Sequence, residues 1–147
     1  MDIKGRNIAI IGGGESGVGA ALLGKKMGAN VFVSDAGALK EQYRKELLDA
    51  NIDFEESGHD FERIVASNYV IKSPGIPAQV PIFKELAHKK VPVLSEIEFA
   101  SNFTNAKKVC ITGSNGKTTT TMLVYHIFKN AGLNVAFAGN IGKSLAR

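Results

Sequence analysis

Hydrophobic positions along this chain fall into short apolar blocks separated by amphipathic stretches. Residues 7–11 (Asn-Ile-Ala-Ile-Ile) are apolar almost throughout, the pattern of a parallel strand covered on both faces. After Gly12-Gly-Gly-Glu-Ser-Gly17 comes a helical stretch over 18–27, with Gly28 placed as its C-cap. Residues 31–34 read as a second strand ending at Asp35. Leu39, Tyr43, Leu47 and Ala50 recur at close to every fourth position, which marks an amphipathic helix. A weak strand at 52–54, a polar loop at 57–60, a helical turn at 61–66 and a strand at 69–71 follow, the last stopped by Ser73-Pro74-Gly75. Pro81 suits the first turn of a helix that continues to Lys89. In the strand 91–94, Pro92 can donate no ladder bond and so belongs near a sheet edge. Ser95, with Glu98 three residues on, predicts a capping box. The helix it opens ends in 101–105, which is polar and lacks periodicity, and the domain boundary is placed there.

Beyond the boundary the pattern starts again. Residues 109–112 predict a strand, and a helix follows with Leu123, Val124, Ile127 and Phe128 on its buried side. Gly132 comes after it, then a strand at 134–137 and the start of a helix at 143–147. Strands alternating with helices imply parallel sheets with right-handed crossovers. The expected fold is therefore α/β: a Rossmann-like doubly wound parallel sheet over residues 1–104, followed at 105–147 by the first βαβ unit of a P-loop ATPase domain. One such unit cannot bury both faces of its sheet, so a longer parent protein is expected.

Composition narrows the class without changing this picture. The chain has 147 residues, of which 44% are hydrophobic and 22% charged, the balance of a globular domain with a core. No apolar run approaches the roughly 18 to 20 residues needed to cross a bilayer. The N-terminus runs into a strand without a signal-peptide layout, so a cytoplasmic location and no membrane partner are expected. The net charge of +4 is spread over lysine pairs with acidic residues between them and with no interleaved aromatics, which argues against nucleic acid. Cys110 is the one cysteine; it excludes an internal disulfide and is expected to be a small buried hydrophobe. No two of the three histidines have metal-ligand spacing.

Two glycine turns carry the candidate chemistry. Gly12-x-Gly14-x-x-Gly17 lies between a strand and a helix, with Asp35 about 20 residues on, the spacing of a dinucleotide fingerprint. Gly12, Gly14 and Gly17 would allow the tight turn, the approach of a pyrophosphate and the packing of helix on strand. Glu15 sets a carboxylate beside the phosphate site, repulsive unless it points away. Asp35 reads equally well as a ribose ligand or as a turn cap. Ser73, Pro74 and Gly75 belong to the same sheet edge, where open α/β sheets bind ligands; a diphosphate cradle and a plain turn are equally good readings. The second turn, Gly113-Ser114-Asn115-Gly116-Lys117-Thr118, follows a strand and opens a helix, the order that gathers backbone N–H groups around a phosphate. Lys117 would place its charge on the β/γ-phosphates of a nucleoside triphosphate, and Thr118, with Thr119 less directly, would reach Mg²⁺ or phosphate. Ile111 stands where the full Walker pattern has glycine, so this is a shortened variant. Gly139-Asn140-Ile141-Gly142 follows a strand expected beside the phosphate-loop strand, which brings Asn140 near ligand.

These residues resemble the Mur ligase family along the whole chain in order. Ile-Ile-Gly-Gly-Gly-Glu-Ser-Gly comes first, then Ser-Pro-Gly-Ile at 73–76, Ser-Glu-Ile-Glu at 95–98, Ile-Thr-Gly-Ser-Asn-Gly-Lys-Thr-Thr at 111–119, and Gly-Asn-Ile-Gly at 139–142. The Asn-Gly-Lys-Thr loop is shared by Mur and folylpolyglutamate ligases. Alanine-adding members usually carry His where this chain has Asn115, which favours the glutamate-adding branch; Ser114 replaces the commoner Thr. The resemblance implies an ATP-dependent, Mg²⁺-requiring amide ligase of peptidoglycan precursor synthesis. It would phosphorylate the L-alanyl carboxylate of UDP-N-acetylmuramoyl-L-alanine and pass the acyl phosphate to the amine of D-glutamate. Gly113, Ser114, Asn115, Gly116, Lys117, Thr118 and Thr119 would hold ATP, with Lys117 catalytic and Thr118 on the metal. Gly14, Glu15, Ser16, Gly17, Asp35, Ser73, Pro74, Gly75 and Asn140 would meet the UDP-sugar. The resemblance implies a monomeric full-length enzyme and an inactive fragment, whose bare sheet remnant is expected to self-associate. Rival readings are an alanine-adding Mur ligase, an NAD(P)-dependent oxidoreductase built on the first loop, and a non-catalytic P-loop module built on the second.

Overall fold

The structure is a computed structural model and describes residues 1–77, 79–139 and 141–147. Its elements in order are β1 (Asn7–Ile11), α1 (Glu15–Lys26), β2 (Asn30–Ser34), α2 (Glu41–Asp49), β3 (Asp53–Glu55) and α3 (Phe61–Val65). They continue with β4 (Tyr69–Lys72), α4 (Pro81–His88), β5 (Val93–Ser95), α5 (Glu96–Ser101) and α6 (Lys117–Asn130). The five strands form one parallel sheet in the order β3-β2-β1-β4-β5. The chain builds outward from β1 to β3, then returns to lay β4 on the other side of β1. The order therefore reverses between β1 and β4.

Side-chain alternation along β1 divides the core between the two faces of the sheet. Ile8 and Ile10 join Val18, Val31, Val33, Leu47, Ile71 and Phe99 on one side. Ala9 and Ile11 join Phe32, Ile64, Val70, Ile82 and Leu86 on the other. Both faces of β1 are buried from Ile8 onward, which is why Ile8 to Ile11 form an unbroken apolar run. Helix α1 lies close on the sheet because Gly24 has no side chain: a Cβ there would sit 3.1 Å from Val31 Cγ2. β5 is an edge strand, and Pro92, just outside it, contributes only its carbonyl, which accepts from Val70 N–H at 2.9 Å. The edge placement expected of Pro92 holds.

The capping box at α5 forms as well. Glu98 N–H donates to Ser95 Oγ at 3.2 Å, and Ser95 N–H donates to Glu98 Oε2 at 2.7 Å. That backbone N–H holds the Glu98 carboxyl below its ordinary value. A folded value below the unfolded one means stabilisation that is present above the unfolded value and lost as pH falls through the folded one. Ser95→Ala is expected to cost about 1 kcal/mol at neutral pH, with a smaller difference from the unaltered chain near pH 3; urea denaturation at both pH values measures it.

After α5 the structure departs from the expected pattern. Residues 109–112 and 134–137 belong to no ladder among the described residues. Helix α6 buries none of its residues: Leu123 and Ile127, expected on a buried side, are 59% and 55% exposed. Cys110 is exposed as well, against the expectation of a buried hydrophobe. The reason is common to all three. A strand exists only through its partner, and no described segment supplies one here, so α6 has no sheet to cover. Residues 143–147, expected to begin a helix, instead form a turn that packs back on α1 and α5, burying Ser144 and Ala146.

Candidate functional site

The strand order reverses between β1 and β4, and the carboxyl ends flanking such a reversal are where open α/β sheets take ligands. The glycine loop leaves β1 on one side of that point and Ser73-Pro74-Gly75 leaves β4 on the other. The two loops are joined: Ser73 N–H donates to Ile11 C=O at 3.0 Å, and Ser73 Oγ donates to Gly12 C=O at 3.0 Å. Gly12 takes φ +96°, which glycine tolerates and other residues rarely do. A Cβ at Gly17 would fall 1.8 Å from the Gly12 carbonyl oxygen, so the start of α1 rests directly on the loop backbone. At Gly14, by contrast, a Cβ would meet nothing within 4 Å; the loop is open at that point. Among the described residues no backbone acceptor meets the N–H groups of Glu15, Ser16 or Gly17. They are the unpaired donors of a helix N-terminus, with the positive end of the helix dipole behind them.

Asp35 takes the role of turn cap. Its Oδ2 accepts from Gly13 N–H at 2.6 Å and its Oδ1 from Gly37 N–H at 2.8 Å. The carboxylate thus ties the glycine loop to the loop after β2. Ser34, fully buried beside it, lies 2.6 Å from Glu55 Oε1 and 2.5 Å from His59 Nδ1. The loop after β3 is thereby drawn against the loop after β2, where Gly58 N–H donates to Asp35 C=O at 3.3 Å. His59 reads in the sequence as a residue of a polar loop; only the parallel pairing of β2 with β3 puts it at the site's wall.

Glu15 does not turn its carboxylate to the mouth of the glycine loop. Ser144 N–H donates to Glu15 Oε1 at 3.2 Å, and Arg147 meets both carboxylate oxygens, at 3.0 and 3.1 Å. Arg147 also pairs with Glu46 of α2. No local signal in the sequence marks Arg147 or Ser144, since these partners lie 101 to 132 positions away in the chain. Asn140 falls outside the described residues.

In the second turn Gly116 adopts the left-handed conformation, φ +76°, immediately before α6. A Cβ on Gly116 would meet nothing within 4 Å. The Lys117 side chain folds back over the turn: its ammonium donates to the carbonyl oxygens of Gly113 and of Ser114, the latter at 3.3 Å. Thr118 and Thr119 occupy the first turn of α6. Among the described residues no group of three His, Cys, Asp or Glu side chains is placed to hold a metal. No helix among them is long and apolar enough to cross a membrane.

Comparisons with known proteins identify the family. Residues 7–81 match the family model of the MurD N-terminal domain, and residues 111–146 match that of the Mur ligase middle domain. The chain is 56% identical over 142 residues to the UDP-N-acetylmuramoylalanine--D-glutamate ligase of Bacteroides fragilis, covering 96% of this chain and 32% of that protein. It is 51% identical to the protein of the same name from Porphyromonas gingivalis, covering 100% of this chain and 33% of that one. The chain thus spans about a third of the length of these relatives. Among solved structures, a murein peptide ligase from Psychrobacter arcticus superposes with a TM-score of 0.62 at 26% identity, covering 87% of this chain and 27% of that one. With residues 7–81 and 111–146 matched by the two family models, the chain belongs to the Mur ligase family, with a MurD N-terminal domain followed by a stretch of the Mur ligase middle domain.

Proposed function

We propose that this chain supplies the UDP-sugar domain (residues 1–104) and part of the ATP domain (105–147) of a cytoplasmic ligase that joins D-glutamate to UDP-N-acetylmuramoyl-L-alanine. One observation carries the reading: a single chain holds two phosphate-accepting turns in tandem, one open at Gly14 at the sheet's reversal, the other overlaid by Lys117. An oxidoreductase needs only the first and leaves the second without a use. In the proposed complex the N–H groups of Ser16 and Gly17, with Gly14 leaving room, receive the diphosphate of the UDP-sugar. Ser73, Pro74 and Gly75 close the other side of the site, Ser73 by holding Gly12 in place. Asp35 acts by orienting Gly13, and Asn140 remains the family-implied contact to the muramoyl part.

The second turn suits a nucleoside triphosphate. Its left-handed Gly116 leaves backbone N–H groups uncovered, and the carbonyl oxygens that now accept from Lys117 can be exchanged for phosphate oxygens. ATP bound there supplies the phosphoryl group that activates the substrate carboxylate. Lys117 neutralises charge that builds on the transferring oxygens, and Gly113, Ser114, Asn115 and Gly116 hold the phosphates by their backbone. Thr118 offers its hydroxyl to Mg²⁺, with Thr119 beside it. A lone hydroxyl is a weak site by itself, so Thr118 would help to hold an ion that arrives with the triphosphate and would supply charge neutralisation there.

Phosphate release by the whole protein tests the reaction. It is expected to require UDP-N-acetylmuramoyl-L-alanine and D-glutamate together. Release at the same rate with neither present would overturn the ligase reading in favour of a nucleotide switch.

A further inference from the structure

Residues 143–147 are seated on the first domain more firmly than their exposed neighbours would suggest. Ala146 N–H donates to Glu96 Oε1 at 2.6 Å, and Glu96 is 4% exposed. Burial raises the Glu96 carboxyl above its ordinary value, and the Ala146 N–H works against that rise. Helix α1 has a notch to receive the segment: a Cβ at Gly19 would lie 2.2 Å from Ser144 Oγ and 3.1 Å from Arg147 Cγ. Glycine inside a helix costs about 1 kcal/mol relative to alanine, and here that space is filled by the docked turn. Arg147 then spans two carboxylates, Glu15 on α1 and Glu46 on α2, with only 15% of its own side chain exposed.

Glu15 is the first residue of α1 and so shares the first turn with the unpaired N–H groups proposed above to take the diphosphate. A free carboxylate there would repel a ligand carrying two negative charges or more. We propose that Arg147 is a positioning residue: by docking on α1 and pairing with Glu15 it masks a repulsive charge at the glycine loop, so that UDP-sugar affinity in the first domain depends on the seated 143–147 segment. This rests on the UDP-sugar reading of that loop. It also gives Glu15 a purpose that ligand contact does not: the residue couples the second family-matched stretch to the ligand of the first.

Calorimetric titration of the 147-residue chain with UDP-N-acetylmuramoyl-L-alanine tests the coupling. Arg147→Ala is expected to weaken binding about tenfold, the scale of an uncompensated partly buried charge. Arg147→Lys, which keeps the charge but loses the two-way fork, should lose less. Gly19→Ala favours the helix yet fills the notch, and should weaken binding as Arg147→Ala does without removing any charge. Adding Glu15→Gln to either variant should recover most of the affinity, because nothing is left to mask. A purely structural strap would show no such recovery. Equal affinity in Arg147→Ala and the unaltered chain, or no recovery with Glu15→Gln, overturns the coupling while the UDP-sugar reading stands. Absence of binding by the unaltered chain at millimolar ligand overturns both.

Discussion

Lys117→Ala is expected to lower the ligation rate of the whole protein by about 10³-fold, the loss typical when one charge-stabilising donor is taken from a transition state. The physical reason lies in where the side chain already is. Its ammonium sits over the 113–116 turn, held only by carbonyl oxygens of that turn among the described residues, and a phosphate oxygen is a stronger acceptor than either. The residue is exposed and opens a helix with no buried positions, so folding should not suffer; surface changes of this kind stay within about 0.5 kcal/mol. Lys117→Arg should not rescue, since a compact point charge is replaced by a wide fork. Steady-state phosphate release together with a thermal melt separates the two effects. An unchanged rate with normal folding would remove Lys117 from the chemistry.

Gly17→Ala should cost about 3 kcal/mol of stability, at the upper end of what overpacking a well-packed site costs. The added methyl would stand 1.8 Å from the Gly12 carbonyl oxygen and 3.1 Å from Ser73 Oγ. Neither is the free end of a flexible side chain: Gly12 N–H is anchored to Ser34 C=O at 2.8 Å, and Ser73 N–H to Ile11 C=O. Helix α1 would have to lift off the loop, spoiling the join between the two loops and the packing of Val18, Ala20 and Ala21. Gly14→Ala, three positions earlier in the same loop, meets nothing within 4 Å and has an ordinary negative φ. Its stability should stay within about 0.5 kcal/mol of the unaltered chain. Urea denaturation of the pair decides the point. Equal midpoints would mean that the loop yields where the geometry says it cannot.

The contrast between these two glycines shows how far the sequence could be read. Both belong to one fingerprint, and the motif assigns them tight-turn and packing roles in general terms. Which one touches backbone and which one faces open space follows from how α1 lies against β1. Asp35 is similar. Its spacing suits a ribose ligand and a turn cap equally, and the bonds to Gly13 and Gly37 put both its oxygens in the cap. Residues 109–112 and 134–137 read in the sequence as strands and form none among the described residues, because a strand is a pairing and not a property of one segment. Among the described residues these segments find no neighbour strand, and most of their side chains stay exposed.

By itself the sequence determined the local grammar of this protein: the apolar blocks of β1, β2 and β4, the capping box at Ser95, and two glycine turns at strand ends. Each is set by residues within a few positions of one another, through backbone conformation, capping or alternation. Tertiary structure decided what those pieces face. The reversal between β1 and β4, the wall made by Ser34 and His59, and the seating of Arg147 on Glu15 and Glu46 join residues far apart in the chain. Their free energies depend on distances that exist only once the sheet has assembled, which is why the last five residues read as the start of a helix and fold as a clasp on the first domain.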